Sequence, residues 1–446
     1  MRWFRLLTLT CLLCSLLLTS CTSLQPPAAD WPADVPPRNP AIAQEQITLT
    51  VWFANDYVNT APIRDLIADF EKAYPNIDVD TSSGEDIIWE KMYDRINLAL
   101  SQGNPPDVAH GHAFAFGAQG MAEPLDDLWQ AWGAESEFLS GAMEDVRWKN
   151  RYYGVPLDIN TLFTFYNKRL FREANLPEPS KDWTLDDLEV LTRQLTKPGS
   201  QHGIALDASG WTMCGLIYAA GGDMLKEDNG KIVATLDSPQ VLGMLDLYRR
   251  MGLTDGVGTI PPPILRQSDH PEILFRDGKV AMFFSGPWDL AKMRQESPDL
   301  LKDVGTAPLP RGRGVDAGGS VAGGGSLFVP RGAKHREAAF EFMKWSVADR
   351  YAKRMALEQG RYPVRSRLYD DPDLQKDPLL KPFFDQLTRA KPYPLEAYRK
   401  ANNAWVEMMK AVFDPDENME QLLQQTQRQV QAHIDEVEAA SATIKQ

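Results

Sequence analysis

Trp288 stands directly after Ser285-Gly286-Pro287, at the end of the apolar run Val280-Ala281-Met282-Phe283-Phe284. Asp277-Gly278 precedes the run as a turn pair, so the pattern predicts a buried strand. Pro287 loses no needed hydrogen bond in a first helical turn, so a helix is expected to begin there. A large flat aromatic is thus held on a stiff strand-to-helix corner. Ligands of open α/β sheets bind at the carboxyl ends of strands, which makes Trp288 a candidate stacking platform. The competing reading is that it caps the core. Asn55 and Asp56 follow the first strand and Glu85 follows the second, although surface loops carry such residues by default. His110-Gly111-His112 puts two imidazoles on one face of a strand. Two imidazoles fall short of a zinc site, so no metal is expected. Gly323-Gly324-Gly325-Ser326 lacks the Gly-Lys-Ser/Thr ending of a phosphate-binding loop, and no other cofactor motif is present. Its glycines let a backbone approach a ligand or another part of the fold, or form a flexible loop.

The elements that position these residues follow a regular order. Residues 47–53, ITLTVWF, alternate as a strand; Asn55-Asp56-Tyr57 reads as the loop at its end. Thr60 can cap a helix with Pro62 in its first turn and Ile63, Leu66, Ile67, Phe70 and Tyr74 at helical spacing. A strand at 77–79, a helix at about 86–101 and a strand starting at 107 follow. This β-α-β-α-β order predicts a parallel sheet. Near the end, 419–437 is an amphipathic helix.

The chain has 446 residues, room for two or three domains, and a formal net charge of −14, which argues against a nucleic-acid partner. Cys11, Cys14 and Cys21 lie near the start and only Cys214 lies beyond, so the body cannot pair two of its own cysteines. Arg2 and Arg5 precede the apolar run Leu6 to Leu18, which fits an export signal and is too short to span a membrane. Leu18-Thr19-Ser20-Cys21 resembles a bacterial lipobox, which implies cleavage before Cys21 and its lipidation. The proline-rich residues 22–46 are then an extended tether.

Taken in order, several stretches resemble the sugar-type extracellular solute-binding proteins of ABC importers, the group that includes maltose-binding protein. They are FEKAYPNIDV at 70–79, SQGNPPDV at 101–108, MAEPL at 121–125, YYGVPLDINTLFTFYNKRLFREANL at 152–176 and FRDGKVAMFFSGPW at 275–288. VGTAPLPRG at 304–312, GGGSLFVPRGAKHREAAFEFMKW at 323–345 and GRYPVRSRL at 360–368 complete the set. The resemblance implies an α/β, two-lobed periplasmic-binding-protein-like fold (type II) with a hinge and a central ligand cleft. By analogy lobe 1 is 47–156, lobe 2 is 157–303, 304–346 returns to lobe 1, and 347–446 is a C-terminal helical segment of lobe 2, after a signal peptide at 1–20 and a lipidated tether at 21–46.

A sugar has hydroxyls on its rim and C–H faces above and below, so its site needs aromatics together with short polar or charged groups. The resemblance places Trp288, Trp211 and Trp405 among the stacking candidates; for the last two a core role competes. It places Asp158 and Asn160 at the hinge, where a carboxylate among apolar neighbours needs a partner. Arg365 can supply that partner or bind the ligand, and Tyr362 lies in the same stretch. His112 is expected to donate to the ligand, and Gly325 and Ser326 to lie beside it. The implied role is a non-enzymatic, monomeric receptor, lipid-anchored outside the cytoplasm, delivering a sugar or oligosaccharide to permease subunits. Glycerol phosphate or another polar solute is the alternative ligand. A secreted glycosidase is the alternative class, with Asp56, Glu85 and Asp158 as its conceivable acids; no element pairs two acids, and no G-x-S-x-G elbow exists. A lipid-anchored adhesin without a small ligand is a third reading.

Overall fold

The computed structural model describes residues 46–259 and 270–443, together with Asp34, Val35, Asn39 and Ile42. The export segment 1–20, Cys21 and the rest of the proline-rich tether lie outside the described residues.

The first strands and helices alternate as their apolar spacing predicts: β1 (Ile47–Trp52), α1 (Ala61–Ala73), β2 (Ile77–Asp80), α2 (Trp89–Ser101) and β3 (Val108–Gly111). β1 pairs in parallel with β2 and with β3. Thr60 precedes α1 but does not cap it through its side chain; its Oγ1 donates to the Tyr57 carbonyl at 2.7 Å. The expected loop after β1 holds a one-turn helix, Asn55–Val58. α2 starts later than expected because Ile88 is still extended.

Next come β4 (Gly154–Thr161), β5 (Phe163–Asn167), β6 (His202–Ala205), α3 (Gly210–Ala219), β7 (Gly258–Thr259), β8 (Val280–Ser285) and α4 (Pro287–Glu296). β9 (Val304–Ala307), β10 (Ser320–Phe328), α5 (Arg336–Ser346), α6 (Asp349–Gln359), β11 (Ala390–Pro392), α7 (Arg399–Ala411) and α8 (Met419–Thr443) complete the set used below. One sheet has the order β11-β10-β3-β1-β2, with β4 also on β10; the other has the order β7-β6-β8-β5-β9. β8 is buried along its whole length and α4 opens on Pro287, as expected from the sequence.

β4 and β10 run antiparallel from Gly154↔Phe328 to Thr161↔Ala322, with a bulge between Gly325 and Ser326. β3 pairs with the Ser326–Phe328 end of β10, while β4 leads straight into β5 of the other sheet. These two strands carry the chain between the sheets. The Gly-Gly-Gly-Ser stretch is therefore strand, not a loop before one. Gly324 has φ +114°, which explains a glycine there.

Two expected boundaries move. The return to the first sheet was expected at 304, but β9 pairs antiparallel with β5 through Val304↔Asn167, so the return falls at β10. The second departure was expected after Ser346, but α6 buries Tyr351, Ala352, Met355 and Ala356, and Tyr351 Oη donates to Asp69 on α1 at 2.8 Å. The chain then joins a different core, where α7 and α8 pack together and Trp405, Leu423, Val430 and Ile434 are buried. The tether also differs from a free spacer. Asp34 accepts from the Arg350 backbone N–H at 3.1 Å and from its Nε at 2.9 Å, and Val35 and Ile42 are buried.

Candidate functional site

Trp288 comes from the first turn of α4 and Trp211 from the first turn of α3. Their ring centroids lie 6.0 Å apart, tilted by 47°. Both are partly exposed and line a chamber of about 440 Å³ at the carboxyl end of β8. Acidic groups face the same space. Asp289 accepts from Ser285 Oγ at 2.6 Å, and burial pushes its carboxyl up to about 6 against that bond. Asp207 accepts from Thr212 Oγ1 at 2.7 Å and is also raised by burial. Glu272 holds Lys292 at 3.0 Å. A carboxylate has about four acceptor positions, so each retains capacity for a further hydroxyl. Indole faces and spare acceptors are the complement of a sugar ring.

A second polar group sits where β4 meets β10. Tyr57 Oη donates to Asp158 Oδ2 at 2.9 Å, while Oδ1 has no partner. Burial raises the Asp158 carboxyl to about 6; Arg361 and the Tyr57 bond oppose the rise. The Arg361 guanidinium lies 4.3 Å over the Tyr57 ring and pairs with Asp56. His110 is fully buried, edge-on to Tyr57 at 4.3 Å, and burial holds its imidazole well below the usual range. Nearby, His112 Nδ1 meets Asp145 Oδ1 at 2.6 Å. Burial pulls His112 down, but Asp145, with Glu396 and Asp158, more than reverses this and raises it to about 9. His112 is therefore an imidazolium at neutral pH. It borders a narrow crevice shared with Asp158, Gly323 and Glu396. A Cβ on Gly323 would meet Asn160 Oδ1 at 2.5 Å and Trp211 at 2.7 Å, so this glycine brings the crevice and the tryptophan chamber side by side.

The structure brings together Trp288 and Trp211 in the chamber, and Asp158, Asn160 and His112 along the strands that join the sheets. Asn55 and Asp56 flank the crossover group, with Asp56 exposed and held by Arg361. The remaining candidates are corrected by packing. Glu85 is exposed at the end of a short turn and borders none of these cavities. Ser326 Oγ donates to the Gly111 carbonyl at 2.7 Å and accepts from Ala113 N at 2.8 Å, which pins β10 to β3. Gly325 gives room to the His110 ring rather than to a ligand. Tyr362 is buried 4.6 Å from Phe383. Arg365 is buried, bonded to the Val347 carbonyl at 3.1 Å and paired with Glu137, so it does not reach Asp158. Trp405 is fully buried, its Nε1 donating to the Gly210 carbonyl at 3.3 Å. Sequence reasoning missed Tyr57, Arg361, Asp145, Asp207 and Asp289. Asp289 follows Trp288 directly and was within reach; the others lie far apart in the chain.

A family model described as "Bacterial extracellular solute-binding protein" matches residues 65–382. The diacetylchitobiose binding protein DasA of Streptomyces coelicolor is 26% identical over 329 residues, 72% of this chain and 74% of that one. The maltooligosaccharide ABC transporter solute-binding lipoprotein of Streptococcus pneumoniae serotype 4 is 25% identical over 429 residues, 92% of this chain and 89% of that one. Among solved structures, the sugar-binding protein MalE of Xanthomonas citri superposes with a TM-score of 0.72 at 22% identity, covering 89% of this chain and 99% of that chain. This likeness establishes the two-lobed fold.

Proposed function

Because the chain belongs to the bacterial extracellular solute-binding proteins, we propose that it is the receptor of an ABC importer and captures an oligosaccharide between its two lobes. The observation that carries the sugar part of this reading is the pair Trp211 and Trp288, which line a chamber on the second lobe with Asp207 and Asp289. Flat faces receive the C–H surfaces of a sugar, and the carboxylates accept its hydroxyls. β4 and β10 act as the hinge. A ligand that touches both lobes only when they are together favours the closed form, which is then presented to the permease. The lobes are 47–156 with 320–392, and 157–259 and 270–319 with 393–443. The Leu18-Thr19-Ser20-Cys21 sequence supports anchorage to the outer face of the cell membrane through Cys21. Family membership and the receptive character of the chamber favour binding without turnover.

Calorimetric titration of the purified protein with malto-, manno- and chito-oligosaccharides tests the reading. Saturable binding of at least one series, with an upward shift in Tm, is expected. Stabilisation by glycerol phosphodiesters or polyamines alone overturns the sugar assignment, and cleavage of a bound oligosaccharide overturns the receptor role. For the anchor, Cys21→Ser is expected to release the protein from the membrane fraction.

A further inference from the structure

A short hairpin, Arg147–Trp148 paired with Arg151–Tyr152, leaves the first lobe just before β4. Its base is fixed to that lobe. The Tyr152 N–H donates to Asp126 Oδ1 at 3.0 Å, its carbonyl accepts from the Leu125 N–H at 2.7 Å, and its ring lies 5.3 Å from that of Trp129. Its tip reaches the other lobe. Lys149 Nζ lies 2.9 Å from Glu438 Oε2 on α8, and Tyr398 Oη donates to Oε1 of the same carboxylate at 3.0 Å. The Trp148 ring meets the Tyr398 ring edge-on at 5.7 Å and packs against the core that contains Trp405, not against the core of its own lobe.

We infer that this hairpin is a latch between the lobes, and that Trp148 and Lys149 are positioning residues for ligand capture, setting how long the lobes stay together. Its effect on a sugar rests on the receptor reading above; its effect on the lobes does not. Neither residue lines the tryptophan chamber or the crevice at β4 and β10. Two observations carry the inference. The first is local cost. Trp148 pairs with Arg151, so the loop is only Lys149 and Asn150, and both have positive φ, +47° and +61°. Such a turn is ordinarily built from asparagine and glycine, and a lysine in the left-handed region is disfavoured. Trp148 Nε1 is also buried with no hydrogen-bond partner among the described residues, a second cost at the same turn. Costs of this kind persist where the surroundings enforce them, and here the surroundings are Tyr398 and Glu438. The second observation is the division of the contact. Trp148 and Lys149 belong to the first lobe, Tyr398 and Glu438 to the second.

A contact made only while the lobes are together favours the closed form by its own free energy, whatever the cleft holds. The two halves of the latch respond differently to the medium. The Lys149 and Glu438 side chains are 29% and 30% exposed, so their attraction is modest and salt weakens it. The packing of Trp148 on Tyr398 is apolar and keeps its strength in salt. A ligand held between the lobes leaves only after both contacts part, so the latch acts on release.

The test uses the purified full-length protein and two readouts: the radius of gyration without ligand, from small-angle scattering, and the release rate of maltotriose, mannotriose or chitotriose, from stopped-flow displacement. Lys149→Gly is expected to enlarge the unliganded radius and to speed release about two- to fivefold, the range of a partly exposed ion pair. Its Tm stays nearly unchanged, because glycine adopts φ +47° without strain. Trp148→Ala is expected to speed release about tenfold, the size of a lost aromatic contact. Lys149→Glu and Glu438→Lys each speed release alone and together restore it. Added salt speeds release in the wild type, and Lys149→Gly loses that part of the salt dependence. If Trp148→Ala does not fold, the Lys149 and Glu438 variants carry the test. An unchanged radius and unchanged release in Lys149→Gly and in the single charge reversals overturn the latch. So does a fall in Tm with release unaltered, the signature of a purely structural hairpin. If none of the three trisaccharides binds, the sugar-receptor reading falls by itself and the radius of gyration alone decides the latch.

Discussion

Trp288 and Trp405 are the same side chain in two regions with opposite demands. Trp405 lies inside the core between α7 and α3, fully buried, so close that a Cβ on Gly210 would meet it at 2.6 Å. Trp288 stands at the mouth of a chamber, partly exposed, with a second indole 6.0 Å away and a carboxylate next to it in sequence. Around Trp405 each neighbour fills space and the indole N–H is satisfied internally. Around Trp288 space is left open, and the acceptors retain unused lone pairs. A core stabilises the fold by leaving no room; a site binds by leaving room of a particular shape. The residue type does not distinguish them, and the surroundings do.

That contrast breaks most visibly at Trp405. Trp405→Ala is expected to cost about 3–5 kcal/mol of stability, read by denaturant unfolding, because the vacated space cannot fully collapse. Retention of wild-type stability would remove Trp405 from the core. Next in size, Trp288→Ala is expected to weaken oligosaccharide binding by about 2 kcal/mol, roughly thirtyfold in Kd, with Tm nearly unchanged. A large fall in Tm with unchanged affinity would make the two tryptophans alike after all.

The pH dependence sharpens the comparison. Asp289 in the chamber and Asp158 at the crossover both titrate near 6, above the ordinary carboxylate range. The native state therefore holds protons that the unfolded chain has released. The stability they contribute is present at about pH 4 and is lost as pH rises through about 6. Asp289→Asn is expected to flatten part of that fall in Tm, and an unaltered profile would contradict the burial argument. His112 has the opposite sense to an ordinary acidic pair: raised to about 9, its contribution is complete below about pH 6.5 and disappears as pH rises through 9. His112→Gln is expected to remove the alkaline part of the decline. The smallest effect is at the tether. Arg350→Ala is expected to change stability by about 1 kcal/mol or less, yet to speed proteolytic cleavage near Asp34, since that contact fastens the segment to α6. Unchanged cleavage would restore the free spacer.

Local chemistry made much of this legible. The corner at 280–288 needs only an apolar run, a glycine, a proline and a tryptophan in order, and each acts on its immediate neighbours. The alternation of β1, α1, β2, α2 and β3 is local for the same reason. Arg365 and Tyr362 illustrate the limit. Both lie in a stretch whose residue types suit a site, but Glu137 and Val347 hold the arginine, and Phe383 the tyrosine, from positions no periodicity reveals. The boundaries at 304 and 346 failed likewise, because the strand pairing of β9 with β5 and the packing of α6 on α1 decide them.

By itself the sequence determined the α/β class, the strand-to-helix corner that presents Trp288 and the long amphipathic helix at 419–443, since spacing and turn chemistry act over a few residues. Tertiary structure alone decided which tryptophan is core and which faces a chamber, that Tyr57 meets Asp158, that Arg361 pairs with Asp56, and that Asp145 charges His112. Those contacts join residues 33 to 305 positions apart, and only the pairing of β10 with β3 and β4 brings their elements to one place.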